Sequence, residues 1–234
     1  MLAELKLRSR LKQPVWYRGQ GNAEWGLVPT IARENGGITA ESPLITRFKQ
    51  NALGLLEDRP TNEWEWLFVM RHYGVPTRLL DWSESPLVAL FFAATFEPNR
   101  DGAVWCLLPI ELNKDANIRP PHPSEIPGFG DAEVLNNYLP SSLAKEQTSS
   151  LTPAAAIAPR NTRRIQAQHG VFTITHRNQM AVERLGNGQH IWKLVIPASA
   201  KQTLVAELSS LNVSQLSLFP ELDHVAMHAK ELLG

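Results

Sequence analysis

A disulfide framework, a membrane span and a dominant charge sign are all missing from this 234-residue chain. Cys106 has no second cysteine to pair with, so no internal bridge can form, and a reducing, cytoplasmic setting is expected. The longest apolar run, Pro86 to Ala94, is far too short to cross a bilayer. Residues 1–13 alternate Leu with charged side chains and lack the unbroken apolar centre of a signal peptide. Lys+Arg 23 balance Asp+Glu 23, so no global field pulls the chain toward nucleic acid or an acidic membrane, and neither is expected as a general partner. Missing too are zinc-ligand spacings, a Walker loop, a Rossmann glycine fingerprint and a Gly-x-Ser-x-Gly elbow. The 7 histidines are scattered. Metal-free chemistry, or binding without chemistry, is what these absences leave.

What is present reads as one α+β domain over residues 1–234, its core about 14–232, with small antiparallel or mixed sheets at the centre and helices around them. Three-to-four-residue apolar spacing predicts helices over Glu41–Leu56 and Asn62–Tyr73. Ser85-Pro86 is a helix start, with Ser85 as N-cap and Pro at the first helical position. The helix it opens, Leu87 to Ala94, is apolar all round and must be buried on most sides. Further helices are expected at Asp131–Tyr138, Ala200–Leu211 and Leu222–Leu233. Strands are expected at Pro14–Tyr17, Leu79–Leu80, Ala103–Pro109, Val171–Thr175 and His190–Pro197, with an extended piece at Trp25–Pro29. Pro120 to Gly130 reads as a structured loop.

Four clusters concentrate chemistry. Trp16-Tyr17-Arg18-Gly19-Gln20 presents an Arg at a strand end, where its planar fork can grip a phosphate or carboxylate; an ordinary salt bridge is the bland alternative. In Arg71 to Pro86, Gly74 to Thr77 should turn, and Asp81-Trp82-Ser83 should land where a strand enters the buried helix, near free N–H groups. There Asp81 could equally pair with Arg78 or cap the helix. In Asn161 to Gly170, Gln166 and Gln168 would share one face if extended. Leu218 to His224 reads as a Pro-containing turn whose acidic residues open the last helix.

Together these motifs resemble the FRG domain, a family named for an aromatic-Arg-Gly motif. The resemblance rests on Trp16 to Gln20, Trp25, Pro29-Thr30, His72 to Trp82 running into Ser85 to Ala93, Gln168 to Ile174, and Phe219 to Asp223. The motif order is also similar to that of ADP-ribosyltransferase folds, and this second resemblance implies a transferase-like fold with NAD as substrate. It implies that Arg18, flanked by Gly19 and Gln20, grips the NAD phosphates. Arg78, Trp82, His72 and His169 would complete the cofactor site, with His72 and His169 bordering one pocket. Asp81, Ser83 and Gln168 would be the catalytic set. Where the transferases carry a Glu this chain carries Gln168, a neutral amide that cannot stabilise a cationic transition state. Asp81 then supplies the carboxylate, or the ligand is held without turnover.

Three readings therefore stand at the sequence level. The first is an NAD-directed enzyme, transferase-like or glycohydrolase-like, which by analogy would suit a toxin or phage-defence effector acting on an unknown acceptor. The second is a non-catalytic module that senses a nucleotide or phosphate ligand. In the third, Arg18, Arg78 and Asp81 form a buried ion network that only fixes the fold. Whether Arg18, Asp81, Ser83 and Gln168 line one cleft separates them.

Overall fold

The computed structural model describes residues 13–122, 124–130, 133–146, 148 and 150–230. Six strands form one antiparallel sheet: β1 Trp16–Gln20, β2 Leu79–Ser83, β3 Gly102–Leu107, β4 Ala154–Ala156, β5 Gly170–Ile174 and β6 Ile191–Ile196, in the order β4-β5-β2-β1-β3-β6. The fold is thus α+β, with a single antiparallel sheet in place of several small or mixed ones.

Alternation sorts the strands' side chains onto two faces. On one face Trp16, Leu80, Trp82, Trp105 and Val171 join a core closed by Leu27, Leu112 and Val182. On the other, Leu79, Phe172 and Ile174 pack under α2 (Glu63–His72) through Phe68 and its neighbours. Val104 and Cys106, on the same face, pack under α3 (Pro86–Thr95). Helix α3 is the all-apolar helix read from the sequence, with Val88, Ala89, Leu90, Phe91, Ala93 and Ala94 buried. It lies directly on β1 because Gly19 has no Cβ: one added there would collide with the Ala89 carbonyl oxygen and sit 2.7 Å from Ala93 N.

The remaining helices are α1 Glu41–Ala52, α4 Pro109–Asp115, α5 Pro140–Lys145, α6 Arg163–Ala167, α7 Ala198–Ser210, α8 Gln215–Leu218 and α9 Leu222–Lys230. Three expectations change. Trp25–Pro29 is irregular, because its backbone is satisfied by side chains instead of a ladder: Gln20 Nε2 donates to Gly26 O at 3.2 Å, and Leu27 N donates to Glu183 at 3.2 Å. The Gln166-x-Gln168 stretch is not extended; Thr162 caps α6 by accepting from Ile165 N, so the two glutamines share no strand face. Glu133–Tyr138 is a 3-10 turn rather than an α-helix, and residues 131–132 of that expectation lie outside the described ones. The same holds for residues 231–233 of the last helix.

Two stretches went unread. β4 is three alanines, a composition with little strand preference of its own. It is held on β5 by the register Ala154↔Ile174 to Ala156↔Phe172, and on its outer side by Asn113 of α4. The Asn113 amide donates to Ala155 O at 2.9 Å and accepts from Ala155 N at 2.8 Å. The helix starts at Pro109 and Pro140 are the other omission, each with Pro in its first turn.

Candidate functional site

β1 and β2 are neighbours, yet they pair at one register position only, Tyr17↔Ser83. Beyond it the strands separate, and the Arg18 side chain reaches across to β2. Arg18 Nη1 donates to the Asp81 main-chain oxygen at 2.7 Å and lies 3.7 Å from Asp81 Oδ2. Asp81 shares its face with Leu79 and Ser83, under the C-terminal end of α2, where Arg71 meets it. Arg71 Nε donates to both Asp81 carboxylate oxygens at 3.1 Å, Nη2 donates to Oδ2, and Nη1 donates to Thr30 Oγ1 at 3.0 Å. A fork on a carboxylate is the geometry in which Arg binds most rigidly.

The electrostatics follow from this packing. Burial alone would push the Asp81 carboxyl up, but Arg71, and Arg18 after it, outweigh burial and hold it below the usual carboxylate range. Burial pushes the Arg18 guanidinium down to about 10, against the pull of Asp81 and with further lowering by Arg71 and Arg33. Asp81 raises Arg71 in turn. Arg18 and Arg71 thus face one carboxylate, with Arg33 near enough to lower Arg18, which leaves a local excess of positive charge at this point of a chain whose net charge is +0.

A cavity of about 360 Å³ opens on these groups. Its floor is the sheet at Tyr17, Gly19, Asp81, Ser83 and Phe172; its walls are α2, through Phe68, Arg71 and His72, and α3, through Val88, Ala89 and Phe92. The roof comes from Arg164 and Ile165 of α6, from Gln168, and from Phe219 after α8. Aromatic walls, convergent polar groups and a volume in the range of small-molecule sites are the features from which ligand pockets are built. The roof is tied down at several points. Arg164 Nε donates to Glu221 Oε1 at 2.7 Å and Nη1 to His72 O at 3.2 Å, while its guanidinium lies 5.2 Å from the Phe219 ring centroid. Gln168 Nε2 donates to Leu218 O at 3.0 Å. Burial first, then Arg164, pushes the His72 imidazole down against Glu221, so it is neutral at pH 7.

Arg18, Asp81, Ser83 and Gln168 line this one cavity, together with Gly19, His72 and Trp82. The surroundings of several differ from the expectation. Ser83 Oγ donates to Gln168 O at 2.6 Å and accepts from Ser85 N at 2.9 Å, so its hydroxyl is engaged on both sides. That second bond belongs to the helix start: Ser85 holds the N-cap position, but its own side chain makes no capping bond. The Trp82 indole points into the core on the far face, donating to Thr173 Oγ1 at 3.0 Å. Gly19's missing side chain serves the approach of α3.

Three expected residues do not line the cavity. Arg78 is buried at 0% exposure, with Nε on Glu41 Oε2 at 2.7 Å, Nη1 on Thr175 O at 3.0 Å and Nη2 on Tyr138 O at 2.6 Å. Its donors are spent inside the fold. Gln20 is buried between Gly26 and the Trp105 indole, which donates to its Oε1 at 2.8 Å. His169, at φ 47°, forms the exposed corner between α6 and β5, so His72 borders the pocket without it.

Arg71 and Arg164 are the wall residues that the sequence reading did not place. Arg71 reaches the site through the way α2 lies over the strand carrying Asp81. Among the described residues no group of three His, Cys, Asp or Glu could hold a metal ion, and no helix is long and apolar enough to cross a membrane.

Searches of curated proteins and of solved structures return no match to the chain. Residues 13–102 match the family model of the FRG domain. That span includes Arg18, Thr30, Arg71 and Asp81 and both helical walls of the cavity, so the part of the chain that is similar to the FRG domain is the part that meets at the charged cluster.

Proposed function

We propose that the cavity is a nucleotide site and that the chain is an NAD-directed enzyme of the ADP-ribosyltransferase-like or glycohydrolase-like kind. The observation that carries this reading is the meeting of Arg18 with Asp81, the carboxylate on the cavity wall, beneath walls of Phe68, Phe92 and Phe219. Arg18 would take a phosphate, since it is among the cavity's lining residues and among the described residues only its Nη1 makes a hydrogen bond. The rings would take a flat heterocycle by stacking and exclusion of water. Asp81, ionised at neutral pH, would face the sugar. In the reaction the glycosidic C–N bond breaks with its electron pair leaving on the nicotinamide nitrogen, and water or an acceptor nucleophile then bonds to the sugar carbon. A role as toxin or phage-defence effector follows only where NAD is consumed.

A specific observation favours binding without turnover as a second reading. Both Asp81 oxygens already accept from Arg71, and the Ser83 hydroxyl and Gln168 amide are also engaged, so little negative charge is left for a cationic sugar. One experiment decides. The intact chain is titrated with NAD in a calorimeter, and the same sample is followed for released nicotinamide. Binding with release supports the enzyme, binding without release supports the sensor, and no binding removes the NAD-directed reading.

A further inference from the structure

Arg164 lies on the roof of the cavity, opposite in origin to Arg18: it comes from α6 rather than from the sheet. Three of its attachments hold it still, namely Nε on Glu221, Nη1 on the His72 carbonyl, and the stacked Phe219 ring, itself part of the lining. Among the described residues Nη2 makes no hydrogen bond, and it is not among the buried atoms that lack one. The guanidinium is therefore fixed in orientation with one donor edge still open to solvent, the side chain being 27% exposed. Glu221 is held through one oxygen; its other, Oε2, is buried with no partner. A carboxylate tolerating that deficit does more for the placement of Arg164 than for its own solvation. Arg18 is likewise held through Nη1 on Asp81, and its Nε is buried with no hydrogen bond among the described residues.

We propose that Arg164 is a second anion-binding residue of the cavity, so that a diphosphate-bridged nucleotide is held between Arg18 below and Arg164 above. The proposal rests on the nucleotide reading and narrows it to ligands with two linked phosphoryl groups. Two preoriented guanidinium groups cost less ordering per bond than flexible lysines would, and each binds one phosphoryl group. A plain roof latch, in which Arg164 and Glu221 only hold α6 against the Phe219 corner, is the competing account.

The two accounts differ in which ligand loses affinity. Calorimetry on the intact chain compares ADP-ribose with AMP for wild type, Arg164→Gln and Glu221→Gln, with melting midpoints recorded alongside. A second anchor predicts that R164Q weakens ADP-ribose by about tenfold or more while AMP changes little. It also predicts that E221Q, which loosens the placement of Arg164, weakens ADP-ribose by less than R164Q does and leaves AMP little changed. Equal weakening of both ligands by both variants would identify a latch and overturn the proposal, as would an R164Q chain that binds ADP-ribose like wild type. Failure of the wild-type chain to bind either ligand would remove the nucleotide reading itself, and this inference with it.

Discussion

Arg78 and Arg18 each meet a carboxylate, and the two pairs could hardly be used more differently. Arg78 and Glu41 are 0% and 4% exposed, and every nitrogen of the Arg78 fork has a partner inside the protein. Arg18 and Asp81 are 17% and 38% exposed, with a cavity over them and the Arg18 Nε making no hydrogen bond among the described residues. A closed pair has nothing left to offer a ligand. An open pair gives up some bonding in the folded chain and keeps donors in reserve. Residue type does not separate the two roles; saturation does.

The comparison breaks most sharply on removal of the buried partner. Arg78→Ala leaves Glu41 charged, buried and uncompensated, so urea unfolding should show a loss of about 3–5 kcal/mol. If R78A folds normally and instead loses ligand affinity, the assignment of Arg78 to the closed class is wrong. Arg18→Gln should do the reverse: nucleotide affinity falls by about tenfold to a hundredfold in calorimetry, while stability drops by only about 1–2 kcal/mol.

Ser83 tests the cavity edge on a finer scale. Ser83→Ala removes the acceptor for Ser85 N and the donor to Gln168 O, at a cost of about 1–2 kcal/mol in thermal or urea unfolding. Acid separates the two regions by pH. On the closed side His176 Nδ1 accepts from Leu151 N at 3.1 Å, and burial first, then Arg78, pushes its pKa down. With a lowered folded pKa the unfolded chain binds the proton first, so stability is full above about pH 6.5 and declines as pH falls below it. Asp81, also depressed, contributes stability above its unfolded value of about 3.9 that is lost only as pH falls through its lower folded value. Urea midpoints measured against pH should therefore fall in two stages, the closed region first. Smallest of all, Ser85→Ala should change stability by about 0.5 kcal/mol or less, since that side chain caps nothing.

Sequence patterning revealed the elements whose environment is uniform. The all-apolar α3 and its Ser-Pro start were legible because burial on every side leaves no polar stripe. The strand carrying Arg18 was legible from its aromatic residues, although β1 runs on to Gln20 and puts Arg18 mid-strand. The cluster around Asp81 is legible, and so is the pairing of Arg18 with Asp81, but Arg78 pairs elsewhere and Arg71 takes its place. Arg78 was offered as a partner for Asp81, yet an odd spacing along extended chain sends two side chains to opposite faces. Parity alone argues against that pair. The partner that does form, Arg71, lies ten residues back on a helix, and its other end rests on Thr30, a contact set by how α2 lies over the sheet. Helix α6 was hidden by its glutamines, though Thr162 followed by Arg163-Arg164-Ile165 is a capped start that could have been weighed against an extended reading.

One small feature of the sheet has a bearing on how the protein behaves in a crowd. Strand β4 is an edge, and an exposed edge is a template on which another chain can add a strand. Asn113 occupies that position with a side-chain amide that donates and accepts as a peptide group would, and next along, Ile157 bonds through its N–H to Pro127 O and through its carbonyl to Phe129 N. The outward-facing backbone of this edge is thereby used up within the molecule. A single asparagine thus guards against edge-to-edge aggregation, and an Asn113→Ala chain would be the form to store cold and dilute.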